Sequence, residues 1–312
     1  MPPRSEPRGG LAVRRSSAGT RTVGAPRPTD RFRNLDRYRV DREWARYEGT
    51  AQRELFRTLR ERFLARHVGA PGWAVDIGSG SGRFTARLGG PESRRVAVDL
   101  SEEMLLAVPE HWPEGVDVPH RVRADGRSPP LRPGCAVAVG LLGNAVGFAG
   151  GDALDLLDRC AELVAPGGQV LVEAAPGAGT SARYLHRLPS GAVRRLLHAP
   201  VRAIQGRVLR EGFVRLESPD RTRHGFRPVS AGVLSERLAA NGFEITESGA
   251  VAPGLGSDPA RLEAVRADPV AWQRLLELEE RLGTTPVARD SAAALLVAAV
   301  RRDDASKIQS VK

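Results

Sequence analysis

The chain has 312 residues, 41% of them hydrophobic, and a formal net charge of +10. That is enough for a substantial core, with no apolar run long enough to span a bilayer. Two cysteines, Cys135 and Cys160, stand in no metal-ligand spacing and imply no disulfide framework. The N-terminus carries arginines without the apolar segment of a secretory signal, so a cytoplasmic, membrane-free setting is expected.

The basicity is local. Residues 1–43 hold eleven arginines against five acids, which leaves only +4 for the rest of the chain. This stretch is rich in Pro, Gly, Ser and Arg and too poor in apolar residues to build a core, so it reads as a solvated tail. It could touch an anionic surface such as a nucleic acid. Arginine makes up 45 of the 47 basic residues, with lysine only at Lys307 and Lys312.

The organised chain begins with a helical cap over 44–70. Within 51–66, Leu55, Phe56, Leu59, Phe63 and Leu64 share one helix face, and Gly69, Pro71 and Gly72 end it. Strands are predicted near 73–77, 95–99, 119–124, 135–141 and 168–174. Helices are predicted between them, near 81–89, 101–108 and 151–164. Alternation of short apolar runs with helices indicates a parallel sheet with right-handed crossovers. Residues 176–228 break the rhythm and read as a helical lid inserted after the fifth strand. A helix over 230–241 follows, with Ser230 as N-cap and Gly242 as its stop. Then come a strand near 243–248, two helices within 258–282 and a final strand at 294–302, with residues 303–312 frayed. The whole reads as an α/β protein, a three-layer α/β/α sandwich around a mostly parallel seven-stranded sheet with one antiparallel edge strand, and a main domain over 71–302.

Chemistry concentrates at WAVDIGSGSGRF, residues 73–84. At Asp76-Ile77-Gly78-Ser79-Gly80-Ser81-Gly82 a strand is expected to turn sharply into a helix. Glycines there supply positive φ and let the backbone press on a ligand. The spacing is GxGxG, unlike the GxGxxG of pyrophosphate binders. An acid two residues before the first glycine would serve an anion poorly and a cation well. Asp99 ends the next strand, where a carboxylate can accept both hydroxyls of a ribose. Asp125 ends the strand after that, within reach of an adenine amino group. Asp99 or Asp125 alone could be a helix cap or a turn residue. Three acids at consecutive strand ends beside the glycine turn point to a cationic adenosyl ligand.

These segments resemble the class I S-adenosylmethionine-dependent methyltransferases: VDIGSGSGRF is similar to their first motif, AVDLSEEML to the second, RADGRSPPL to the third, and AELVAPGGQVLVEA to the fifth-strand motif. The resemblance covers about 73–175 and implies a seven-stranded fold with one strand reversed at the edge, and S-adenosylmethionine as cofactor. It implies that Asp76 faces the methionine ammonium, that Gly78, Ser79, Gly80 and Gly82 form the loop against the ligand, and that Asp99 holds the ribose. Leu100 and Met104 would flank the adenine, Asp125 and Gly126 would meet its edge, and Leu141, Leu142 and Gly143 would lie beside the sulfonium.

Methyl transfer from a sulfonium is an in-line displacement, and a base is needed only for acceptors that must lose a proton. The fourth strand leads into VGLLGNAVGF, which lacks the [DNS]PP[YFW] motif of base-amino methyltransferases, paired catalytic cysteines and metal-binding acids. Asn144 could orient an acceptor or simply make the turn. Tyr184, His186, His198 and His224 are possible bases or orienters in the lid, His186 and His224 standing beside arginines that could receive an anionic acceptor. Trp44 and Tyr47 could close over the cofactor or pack on the sheet edge. The expected function is methyl transfer to a small molecule, the alternatives being an RNA or protein methyltransferase using the tail, or a non-catalytic binder of the cofactor.

Overall fold

Short runs of valine, alanine, leucine and isoleucine assemble into one sheet. In the computed structural model its strands are β1 (Trp73–Ile77), β2 (Arg94–Asp99), β3 (His120–Arg123), β4 (Ala136–Leu141) and β5 (Val164–Ala174), then β8 (Phe243–Val251) and β9 (Ala294–Arg301); β6 (Val214–Glu217) and β7 (Arg223–Phe226) form a separate antiparallel hairpin. The structure describes residues 40, 43, 47–177, 214–217, 223–252 and 259–303. The basic tail, Trp44, most of the insertion with Tyr184, His186 and His198, and the residues from 304 onward lie outside the described residues.

The sheet order is β3-β2-β1-β4-β5-β9-β8. The first five strands are mutually parallel, and β9 runs antiparallel to both β5 and β8. The reversed strand therefore stands one place in from the edge, and the edge strand β8 runs with the parallel set. Burial explains the exchange. Along β9, Ala294–Ala299 are buried without alternation, which demands a neighbour on each side and a layer on each face. The first half of β8, FEITES, alternates polar with apolar and tolerates an edge.

Alternation along each strand divides the core in two. Val75, Ile77, Val139, Leu141, Val170 and Val172 face α4 (Ala153–Leu163) and α5 (Ala231–Ala240) through Leu156, Leu157, Leu234 and Leu238. Ala74, Ala138 and Leu171 face α1 (Ala51–Arg66) through Leu55, Leu59 and Phe63. The caps behave as the side chains dictate: Thr50 accepts the Arg53 amide at the start of α1, and Ser230 accepts the Val233 amide at the start of α5. Gly242 follows α5 at φ +81°.

The remaining helices are α2 (Glu102–Ala107), α3 (Ala145–Phe148), α6 (Pro259–Arg266), α7 (Pro269–Gly283) and α8 (Pro286–Ser291). One expectation fails. Residues 81–89 form no α-helix, only a 3₁₀ turn at Thr85–Arg87. Gly89, Gly90 and Pro91 follow too soon for a helix to propagate. Within the insertion the described part is the β6–β7 hairpin, and the helical pieces expected there lie outside the described residues.

At the end of α7 a Cβ on Gly283 would stand 2.7 Å from the Ala250 carbonyl oxygen and 3.0 Å from its amide nitrogen. Backbone cannot swing aside as a side chain can. Gly283→Ala is therefore expected to lower stability by about 1–3 kcal/mol in a denaturant titration, despite alanine's better helix propensity.

Candidate functional site

The sheet order reverses between β1 and β4, so the carboxyl ends of these strands open a crevice where α/β sheets receive ligands. Asp76 stands there, one residue before the end of β1, at 1% exposure. Its register partner on β4 is Gly140, and a Cβ at Gly140 would come within 3.3 Å of the Asp76 carboxylate. The small residue makes room for the acid. Thr85, in the 3₁₀ turn, donates its hydroxyl to Asp76 Oδ2 at 2.6 Å, while Oδ1 is buried without a hydrogen-bond partner. Burial pushes this carboxyl up to about 7, against the Thr85 hydrogen bond, which lowers it; the Asp99 charge adds to the rise.

Beyond β1 the loop is tied to the neighbouring strand: the Gly78 and Ser79 amides donate to the Val98 carbonyl at 2.8 and 3.1 Å. Gly78, Gly80 and Gly82 all have positive φ. Their open sides differ. A Cβ on Gly78 would meet Ala145 at 2.8 Å, and one on Gly82 would meet Val108 at 3.1 Å. These two glycines are therefore spaces for the protein itself. At Gly80 nothing lies within 4 Å of that position. Asp99 clamps the loop from β2, accepting the Gly80 amide at 2.8 Å on one oxygen and the Ser101 amide at 2.9 Å on the other. Burial raises the Asp99 carboxyl while those amides pull it down. The Ser81 hydroxyl, in the same loop, is buried with no hydrogen-bond partner.

On the β3 side, Ser101 caps α2 by accepting the Met104 amide; Met104 is buried and Leu100 half-exposed. Asp125 is engaged by Arg127, whose guanidinium reaches it at 2.5 Å and also bridges to Asp152. That pairing holds the Asp125 carboxyl below its ordinary value, hydrogen bonding to Arg127 being the main cause. Its oxygens are committed to Arg127. At Gly126 a Cβ would stand 2.4 Å from Ile77 Cγ2, so this glycine lets the chain cross the core face.

The tip of β4 carries the least expected arrangement. Leu141 and Leu142 are buried in the two opposite core layers, and the chain then turns through Gly143 at φ +63° and Asn144 at φ +68°. Two consecutive left-handed residues, one bearing a side chain, need support. The Asn144 Oδ1 accepts the Ala175 amide at 3.0 Å, just past β5. The Gly143 amide donates to Glu173 Oε2 at 3.1 Å. Glu173 also receives two hydrogen bonds from Arg60 of α1, at 3.0 and 2.7 Å, both side chains being buried. Above Arg60 lies Tyr47, its ring 5.5 Å from the guanidinium and edge-on to Phe84 at 5.3 Å. Tyr47 is thus packed into the core layer that also holds Phe84 and Leu142.

Glu173 and Arg60 were not singled out in the sequence. A signal existed: Glu173 interrupts VLVEA, an otherwise apolar strand covered on both faces, and such an acid requires a buried partner. Arg60 gave none, because an arginine on an amphipathic helix usually faces solvent. Of the lid candidates, His224 lies on β7 opposite Leu216. The insertion's exit is fixed to the same corner: the Arg227 amide donates to Gly147 O at 2.8 Å and the Val229 amide to Ala175 O at 3.1 Å. Among the described residues no group of His, Cys, Asp and Glu could hold a metal, and no helix is long and apolar enough to cross a membrane.

Comparison with known proteins agrees with this geometry. A family model described as a methyltransferase domain matches residues 75–172, from β1 to β5. Among curated proteins, none matches the sequence. Solved structures share the fold. A Listeria monocytogenes protein proposed to be an S-adenosylmethionine-dependent methyltransferase superposes with a TM-score of 0.51 at 15% identity, over 80% of this chain and all of that one. A chain from the complex between the Haloferax volcanii Trm112 methyltransferase activator and a proposed methyltransferase gives 0.51 at 17% identity, over 86% of this chain and 98% of that one. The matched domain spans the strands that bear Asp76, the glycine loop, Asp99 and the β4 tip, and residues 75–172 of the chain are a methyltransferase domain.

Proposed function

We propose that this enzyme transfers a methyl group to a small-molecule acceptor by in-line displacement. The observation that carries the reading is the corner where β4, β5 and the insertion meet. Chain leaving β5 at Ala175 returns at Arg227, and both ends are pinned to the loop after β4. An insertion anchored beside the β4 tip can wall off an acceptor next to the reacting methyl, the arrangement that proximity catalysis requires.

The residues fit the cofactor. When bound, S-adenosylmethionine supplies an electrophilic methyl on a sulfonium. The bare Asp76 Oδ1 would accept the methionine ammonium, and the buried Ser81 hydroxyl offers a second unfilled hydrogen bond in the same loop. Gly80 and Gly143, with open space where a Cβ would stand, would lie against the ligand. Asp99, already orienting the loop through the Gly80 amide, would hold the ribose hydroxyls. Leu100 and Met104 would cover the adenine. Its edge would meet the chain at Asp125 and Gly126 through backbone, because the Asp125 carboxylate is held by Arg127.

Incubating the protein with methyl-labelled S-adenosylmethionine and a cell extract, then separating low-mass from polymeric products, tests the acceptor class. Label is expected in the low-mass fraction, and label confined to RNA or protein would overturn the assignment. Asp99→Ala is expected to weaken S-adenosylmethionine binding by about 1–3 kcal/mol in calorimetry, the range for a lost hydrogen bond to a charged group. Asp76 predicts a pH dependence. Its folded value is raised, so without ligand the neutral form stabilises the protein fully below the usual carboxylate range, and that stability is lost as pH rises through about 7. A cationic ligand favours the ionised form, so affinity for S-adenosylmethionine should tighten as pH rises from about 6 to about 7.5. Asp76→Asn should bind more weakly and lose this part of the dependence.

A further inference from the structure

We propose that Glu173 is a positioning residue: clamped by Arg60, it sets through the Gly143 amide the loop that faces the cofactor's sulfonium. This rests on the reading of Leu141, Leu142 and Gly143 given above.

The geometry is specific. Glu173 Oε1 accepts Arg60 Nη2 at 2.7 Å, while Oε2 accepts both Arg60 Nε at 3.0 Å and the Gly143 amide at 3.1 Å. A paired fork of this kind fixes the plane of the carboxylate. Arg60 is itself fixed by donating Nη1 to the Phe56 carbonyl at 2.8 Å. Position thus passes from α1 through a rigid ion pair to one backbone amide. A second anchor acts on the next residue, where Asn144 Oδ1 takes the Ala175 amide, and Gly147 lies so close beneath that a Cβ there would stand 2.4 Å from Oδ1. One anchor ends on β5 at Glu173 and the other at Ala175, the residue just past it. Between them they hold two consecutive residues left-handed and leave the α-carbon of Gly143 facing open space.

Neither anchor touches the reacting atoms, so their effect should be sensed where the sulfonium methyl meets the wall and not at the adenine. Glu173→Gln leaves one acceptor oxygen for Arg60 and Gly143 to share. Asn144→Gly keeps the left-handed backbone without strain and removes the second anchor. Titrating the full-length wild type and both variants with adenosine, S-adenosylhomocysteine and S-adenosylmethionine separates the contributions. Adenosine affinity is expected to stay within about twofold in both variants. The preference between S-adenosylmethionine and S-adenosylhomocysteine, which differ only in the methyl and its charge, is expected to shift by about three- to tenfold. Amide exchange at Gly143 should accelerate by at least about tenfold, with Val139 and Val172 unchanged.

An unchanged preference together with unchanged Gly143 exchange would overturn the proposal. So would equal losses for all three ligands with faster exchange in the strands, which would make the pair a structural support only. Where Glu173→Gln does not fold, Arg60→Lys, which keeps the charge but loses the paired fork on Glu173, decides by the same criteria. Failure of the wild type to bind S-adenosylmethionine would instead refute the proposed function, and Gly143 exchange would still test the anchor.

Discussion

A carboxylate near the carboxyl end of β1, with one oxygen on Thr85 and the other bare, sets the terms for everything around it. Burying an acid on β1 is unfavourable unless it is neutral or meets a cation. The fold leaves the acid in that condition. Gly140 opens space opposite it, Leu88 packs against that same position, and the 3₁₀ turn brings Thr85 back to hold one oxygen. The result is a carboxyl raised to about 7 with one oxygen left without a hydrogen-bond partner. Such a group discriminates by charge before any shape is read.

The short turn after the glycine loop belongs to the same logic. Nucleotide-binding sheets commonly place a helix N-terminus at this point, where its partial positive charge favours phosphate. Here the chain makes only Thr85–Arg87 before Gly89, Gly90 and Pro91. A site meant for an ammonium and a sulfonium loses nothing by lacking that field, and it gains the Thr85 hydroxyl at the acid. Asp99 has a double use for the same reason. Its amide hydrogen bonds hold the loop open at Gly80, and the loop in turn fixes the direction in which the carboxylate points.

Much of this was legible in the sequence, and the reasons differ by residue. The strands showed because their apolar runs are buried on both faces, and α1 and α5 showed because their caps and spacing agree. Asp76, Asp99 and the glycines stood out because local spacing encodes them: each acts within a few residues of a strand end. What escaped depends on tertiary pairing. Ala145 filling the space at Gly78 and Arg60 reaching Glu173 across 113 residues leave no mark in any window of sequence, whereas Arg127 stands only two residues after the Asp125 it pairs with. The helix expected over 81–89 failed because the pattern of a glycine loop suggests one, while the glycines and proline that forbid it come a few residues later. The run ALLVAAV marks β9 as a strand, but its place between β5 and β8 depends on tertiary pairing.

The Arg60–Glu173 pair bears on how this corner is built. Two buried charges lose about as much on leaving water as they gain from each other, and an apolar pair of similar size would serve stability equally well. Stability alone therefore does not account for the pair. What an apolar pair could not supply is direction. It would leave the Gly143 amide without an acceptor and the left-handed turn at 143–144 held by Asn144 alone. Tyr47 lies against the same guanidinium, and Phe84 meets Tyr47 edge-on, so the segment before α1, the end of the glycine loop and the tip of β4 share one support. Walls of the crevice that come from distant parts of the chain are thereby held in one frame, which a reaction governed by alignment requires.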